Sequence, residues 1–212
     1  MQESFLSPDL PGYPIRELNP EEAAELVERV PYTRHLGISP NDDLSIHVQG
    51  LPFLVRHELA EIGYRGDPDG PSCLVLTDGG DSLFLDGTSR PWERLVSTSG
   101  IRVTAESVVQ YVRCRRQLER REGFLLIEDG AEISWLEAPS PPERERVAAL
   151  VLPPQLNALL LDGHFRVSYS AVWHGKLHHY SVDVSPEGQL NETAGPPVSH
   201  AGLLHNTPFP IW

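Results

Sequence analysis

The sequence predicts an α+β fold: a mainly antiparallel sheet, two or three helices packed on one face, and a C-terminal β-hairpin over 164–184. Three observations carry this. Apolar stripes at helical spacing occur in short segments separated by strand-like runs. Pro and Gly make 37 of 212 residues and cut the chain into short elements. The stretch from His164 to Val184 pairs with itself, residue against residue, in one register.

Taken in order, residues 1–19 hold Pro8, Pro11, Gly12 and Pro14 and read as an extended arm. A helix follows. Asn19 suits the N-cap, Pro20 the first helical position, and Glu22 the capping-box position. Ala23, Leu26, Val27 and Val30 form its apolar stripe, and Pro31 stops it. Leu44-Ser45-Ile46-His47-Val48 alternates like a strand, while Phe53 to Ile62 fits either a strand or a short helix. After a turn over 66–71, Cys73–Leu76 and Leu83–Leu85 flank Asp78-Gly79-Gly80-Asp81, a hairpin signal.

A helix is expected from about Ala105 to Arg121, capped by Thr104, buried through Val108, Tyr111, Val112 and Leu118, and ended by Gly123. Phe124–Ile127 then reads as a buried strand, Ile133–Leu136 as a further candidate strand, and Pro141–Leu152 as a short helix. In the C-terminal hairpin, a His174-Gly175 turn sets Trp173 opposite Lys176. Phe165/Val184, Val167/Val182 and Tyr169/Tyr180 then share one face, and Arg166/Asp183 and Ser168/Ser181 the other. The expected organisation is an arm over 1–19, one domain over 20–190 and an irregular tail over 191–212.

Composition excludes several classes. Val, Ile, Leu and Phe make 59 residues, enough apolar mass for a folded core. No apolar run reaches the roughly 18 residues that span a bilayer, so no membrane association is expected. The start lacks a secretory pattern and there are only two Cys, which predicts a cytoplasmic protein without a disulfide framework. The net charge of −13 disfavours general nucleic-acid binding.

Leu83-Phe84-Leu85-Asp86-Gly87-Thr88-Ser89-Arg90-Pro91, then Val103-Thr104-Ala105-Glu106-Ser107-Val108-Val109-Gln110-Tyr111-Val112-Arg113, then Gly123-Phe124-Leu125-Leu126-Ile127-Glu128, resemble a pattern found in a group of bacterial proteins of uncharacterised function. The resemblance covers 83–128. It implies a strand and turn, a helix and a strand in that order, and carries no activity with it.

Six of the nine His lie after residue 163. His178 and His179 would face opposite sides of a strand, and His164 and His174 would sit at its two ends, so no shared metal is expected among them. His57-Glu58-Leu59-Ala60-Glu61 lacks the second His of a zincin helix, although on a helix His57 and Glu61 would share a face. The Asp67 and Asp78 turns lack the closing Glu of a calcium loop. Cys114, among Arg113, Arg115 and Arg116, would have a lowered thiol pKa if those cations faced it. No catalytic residue, metal or cofactor is assigned.

Charge is more informative. Residues 1–99 carry 17 acids against 7 bases, net −10, whereas 100–152 carry 9 against 8. Arg113, Arg116 and Arg120 would line a helical stripe opposite the apolar one. The tail ends in Phe209, Ile211 and Trp212, residue types common at interfaces. The resulting expectation is a non-catalytic protein-binding accessory module of a bacterial system, adaptor or immunity-like. Its candidate contacts are Arg113, Arg116, Arg120, Phe209, Trp212 and the acidic surface around Asp67 and Asp69, with Asp78 and Asp81. The partner would be another protein or a second copy of the chain. The alternatives are a His-dependent hydrolase, with or without a metal, and nucleotide or RNA binding through the Arg-lined helix.

Overall fold

The computed structural model describes residues 6, 10, 12–67, 72–119, 124–135 and 139–199. The chain divides after Asp86 into two compact units, each with its own antiparallel sheet. The span 20–190, read from sequence as one domain, therefore crosses two units. Among the described residues no helix is long and apolar enough to cross a membrane.

The first unit is a meander. Strands β1 (Arg16–Glu17), β2 (Leu44–Gly50), β3 (Glu58–Tyr64), β4 (Cys73–Thr77) and β5 (Ser82–Phe84) lie in sequence order across the sheet. Helix α1 (Pro20–Arg29) begins as its sequence dictates. The Asn19 side chain accepts from the Glu21 and Glu22 amides, and Glu22 returns a bond from the Asn19 amide. Leu26, Val27 and Val30 pack on the sheet face formed by Ile46, Val48, Ala60, Ile62 and Val75. A 3-10 turn, Pro31–Leu36, follows where Pro31 cannot continue the α-helix. The open question over 53–62 resolves as β3, because Glu58–Tyr64 pairs on both sides, with β2 and with β4. The Asp78–Asp81 hairpin forms as expected, its turn closed by Asp78 Oδ1 accepting from the Gly80 and Asp81 amides.

The second unit contains α2 (Arg90–Ser97), α3 (Val108–Leu118), β6 (Phe124–Ile127), α4 (Pro141–Ala148), β7 (Gln155–Leu159), β8 (Phe165–Trp173), β9 (Lys176–Val184) and β10 (Leu190–Ser199). Its sheet runs β10-β9-β8-β6, with β7 pairing the other end of β8. The β8/β9 register is the one the sequence predicts, from Phe165 opposite Val184 to Trp173 opposite Lys176. His174 and Gly175 both adopt positive φ, 47° and 73°, as a two-residue turn matched to strand twist requires.

One sheet face, carrying Val167, Tyr169, Val182 and Val184, is buried, and α3 packs across β6, β7 and β8. On the opposite face Ile127, Val172 and Leu177 form a second apolar cluster with Ile133 and, from α4, Val147.

Three expectations change. The long helix is shorter than 105–121: 105–107 form a turn and Glu119 is extended, with φ −81° and ψ 100°. Residues 191–199, read as the start of an irregular tail, belong to β10, which runs from Leu190 to Ser199. Its Gly195-Pro196-Pro197 step coincides with register shifts, which an edge strand accommodates because its outer N–H groups need no partner. Ile133–Leu136 forms no strand over its described residues; a 3-10 turn at Gly130–Glu132 precedes it.

Candidate interaction surfaces

Helix α3 holds the arginines that sequence singled out. Its buried side includes Val108, Tyr111 and Val112, and also Arg115 and Arg116. Arg115 Nε lies 2.5 Å from Glu119 Oε1, and its Nη1 donates to Tyr111 Oη at 2.8 Å and to the Gly188 carbonyl at 3.1 Å. Arg116 Nη1 lies 2.6 Å from Glu119 Oε2, and its Nη2 2.5 Å from Glu192 Oε2. Its Nε donates to Tyr169 Oη at 3.1 Å, and Tyr169 donates in turn to Glu192 at 2.9 Å. Two guanidiniums and two carboxylates thus close a neutral network joining α3, β8 and β10.

Burial pushes the Tyr169 hydroxyl well above its ordinary range, so it stays protonated and can both donate and accept. Burial works against the Arg115 charge, yet the Tyr111 and Glu119 oxygens hold its pKa above the ordinary value.

This corrects the solvent-facing stripe. Arg116 is 4% exposed and committed to Glu119 and Glu192, so it presents nothing to a partner. Arg113 is partly exposed and pairs with Glu128 at 2.6 Å. Arg120 lies outside the described residues. Burial also decides Cys114: with Arg115 and Arg116 turned to carboxylates, desolvation pushes its thiol up to about 12, opposite to the lowering that facing cations would give. Cys73, in the first unit's core, is likewise pushed up to about 12.

The network was partly legible. Glu119 follows Arg115 by four residues and Arg116 by three, the spacings at which helical side chains meet. Its other members, Tyr169, Gly188 and Glu192, are far away in sequence and gave no local signal. Gly188 has φ +86°, and a Cβ there would sit 2.6 Å from Ile101 Cγ2 and 2.9 Å from Tyr111 Oη. Both the backbone and the space require glycine.

The acids of the first unit are arranged differently. Asp67 and the Asp78/Asp81 pair, grouped by sequence as one surface, sit at opposite ends of β4, a strand of five residues and roughly 16 Å. Asp69 lies outside the described residues, as do Phe209 and Trp212. A coherent acidic stripe does exist on α1. Glu21, Glu25 and Glu28 are all exposed and follow helical spacing. The unit's ion pairs go elsewhere: Arg16 to Glu22 at 3.1 Å and Glu58 at 3.7 Å, Arg65 to Glu17 at 2.8 Å and Asp43 at 3.2 Å. Among the described ion pairs none uses the three α1 glutamates.

The histidines are dispersed. His178 Nδ1 donates to the Gly195 carbonyl at 3.1 Å and His179 Nε2 to the Leu150 carbonyl at 2.8 Å, from opposite faces of β9 as the register dictates. His164 Nδ1 lies 3.0 Å from Asp162. The helical pairing of His57 with Glu61 does not form. This segment leads into a strand, which sets residues four apart about 13 Å from each other. Among the described residues no three His, Cys, Asp or Glu side chains could hold a metal ion.

Comparison with protein-family models, curated proteins and solved structures finds no match for this chain.

Proposed function

We propose that the protein is a non-catalytic binding module whose first unit engages a cationic protein through the outer face of α1. The carrying observation is the Glu21–Glu25–Glu28 stripe, exposed and outside every described ion pair. Helix stability accounts for only part of it, through Glu21 in the first turn and Arg29 four residues after Glu25. Like charges at these spacings oppose one another by a few tenths of a kcal/mol per pair. Glu28, near the helix C-terminus, also meets the negative end of the helix dipole. Around the stripe, residues 1–86 carry 16 acids and 5 bases, net −11, a field that attracts and orients a basic surface.

The test is affinity capture from the native host by the full chain and by its E21Q/E25Q/E28Q variant, at low and high salt, with retained proteins identified by mass spectrometry. The expected result is a basic protein held by the native chain at low salt, released at high salt, and not held by the variant. Identical retention by both chains would refute the proposal. The variant removes repulsion, so loss of capture is separable from loss of fold by its unchanged melting temperature.

A further inference from the structure

Strand β7 is paired on one side only among the described residues, to β8. Its other backbone edge is a template for a further strand. The register along it is unusual. Leu156 stands opposite Val167 and Leu159 opposite Phe165, with a slip of one residue between Leu156 and Ala158. In an unbroken strand, residues three apart point to opposite faces. The bulge at Asn157 cancels that alternation and puts Leu156 and Leu159 on the same face as Val167 and Phe165.

Phe165 and Val167 are buried on that face, whereas Leu156 is 37% exposed and Leu159 67%. Leu161, just past the strand, is fully exposed. Half of the six exposed large apolar side chains among the described residues fall within 156–161. The apolar face of the second sheet is therefore only partly covered along β7, which α3 reaches while leaving Leu156 and Leu159 exposed.

We propose that this edge pairs with the same edge of a second copy of the chain, β7 against β7 in antiparallel fashion. Charge and symmetry favour a second copy as the occupant. Residues 147–161 contain no Asp, Glu, Lys or Arg, although the chain carries net −13. Two such copies repel over most of their surface, and a charge-free seam is where they can close. The same seam offers no carboxylate to a cationic protein, so this surface is distinct from the α1 stripe. The bulge also makes the edge self-complementary. With the two-fold axis between Asn157 and Ala158, Leu156 meets the second copy's Leu159, and Leu159 its Leu156. Both contacts lie on the same face, as an isologous interface requires. The two sheets join into one.

Sedimentation velocity on the full chain, from about 1 to about 200 µM, tests this directly. The native protein should show a monomer–dimer equilibrium. Leu159→Lys, at an exposed position, should weaken the dimer by about tenfold or more while leaving the melting temperature nearly unchanged. Val55→Lys, which charges another exposed apolar residue, in the first unit, should leave dimerisation intact. A native chain that stays monomeric throughout overturns the proposal. So does a dimer that survives Leu159→Lys, or one that Val55→Lys abolishes.

Discussion

The two units handle charge in opposite ways. Residues 1–86 carry 16 acids and 5 bases, and Glu21, Glu25 and Glu28 of α1 are exposed and join no described ion pair. Residues 87–212 carry 14 acids and 12 bases, and the central arginines are folded inward onto Glu119 and Glu192. In the second unit charge serves the fold; in the first it is left available. An arginine-rich helix is therefore not by itself a basic surface. What decides is whether carboxylates near in space, not in sequence, have already claimed its guanidiniums.

The largest effect that could break this comparison is removal of the shared carboxylate. Glu119→Ala strands two buried guanidiniums, and chemical denaturation should register a loss of about 3–5 kcal/mol. A loss below about 1 kcal/mol would mean that the arginines escape to water. Gly188→Ala should cost about 2–3 kcal/mol, since it combines a positive φ with a Cβ pressed on Ile101 and Tyr111. Tyr169→Phe keeps the ring but removes the hydroxyl joining Arg116 to Glu192. The expected loss is about 1–2 kcal/mol, read in the same unfolding assay. In the first unit Asn19→Ala removes the α1 cap and should cost about 1 kcal/mol, without affecting the second unit's network.

The smallest effect is one of pH. Arg166 holds the Asp183 carboxyl below its ordinary value, the bond being supplied through Nε at 2.7 Å and Nη2 at 2.8 Å. A folded-state pKa below the unfolded one stabilises fully above the unfolded value, near 4, and that stability is lost as pH falls through the lower folded value. Both side chains are partly exposed, so the contribution is modest. Asp183→Asn should flatten the acid limb of a stability–pH curve and leave stability at neutral pH slightly reduced.

The elements legible in the sequence were those fixed by local chemistry. The Asn19–Glu22 box, the Asp78–Asp81 turn and the β8/β9 register each follow from residues close along the chain. The elements missed depend on position in the sheet. β10 carries Gly195, Pro196 and Pro197 and reads as loop, yet is tolerated at an edge. β7 is short and preceded by two prolines, and its bulge removes the alternation that marks a strand. α2 had a start signal in Ser89 and Pro91, with the Ser89 hydroxyl 2.6 Å from Glu93 Oε1, but only eight residues in which to show a period. For the interaction surfaces, the acidic bias of the first unit was visible, but its arrangement was not. Asp67 and Asp78 look close in sequence and are separated by the length of a strand.

The most direct measurement compares one charge change in each unit. Full-length chains carrying Glu25→Arg or Arg113→Gln would be assayed for capture of the protein that the native chain retains at low salt. Glu25→Arg should abolish capture, and Arg113→Gln, beside its Glu128 partner in the second unit, should leave it unchanged. Capture that survives Glu25→Arg and is lost with Arg113→Gln would contradict the role proposed for α1.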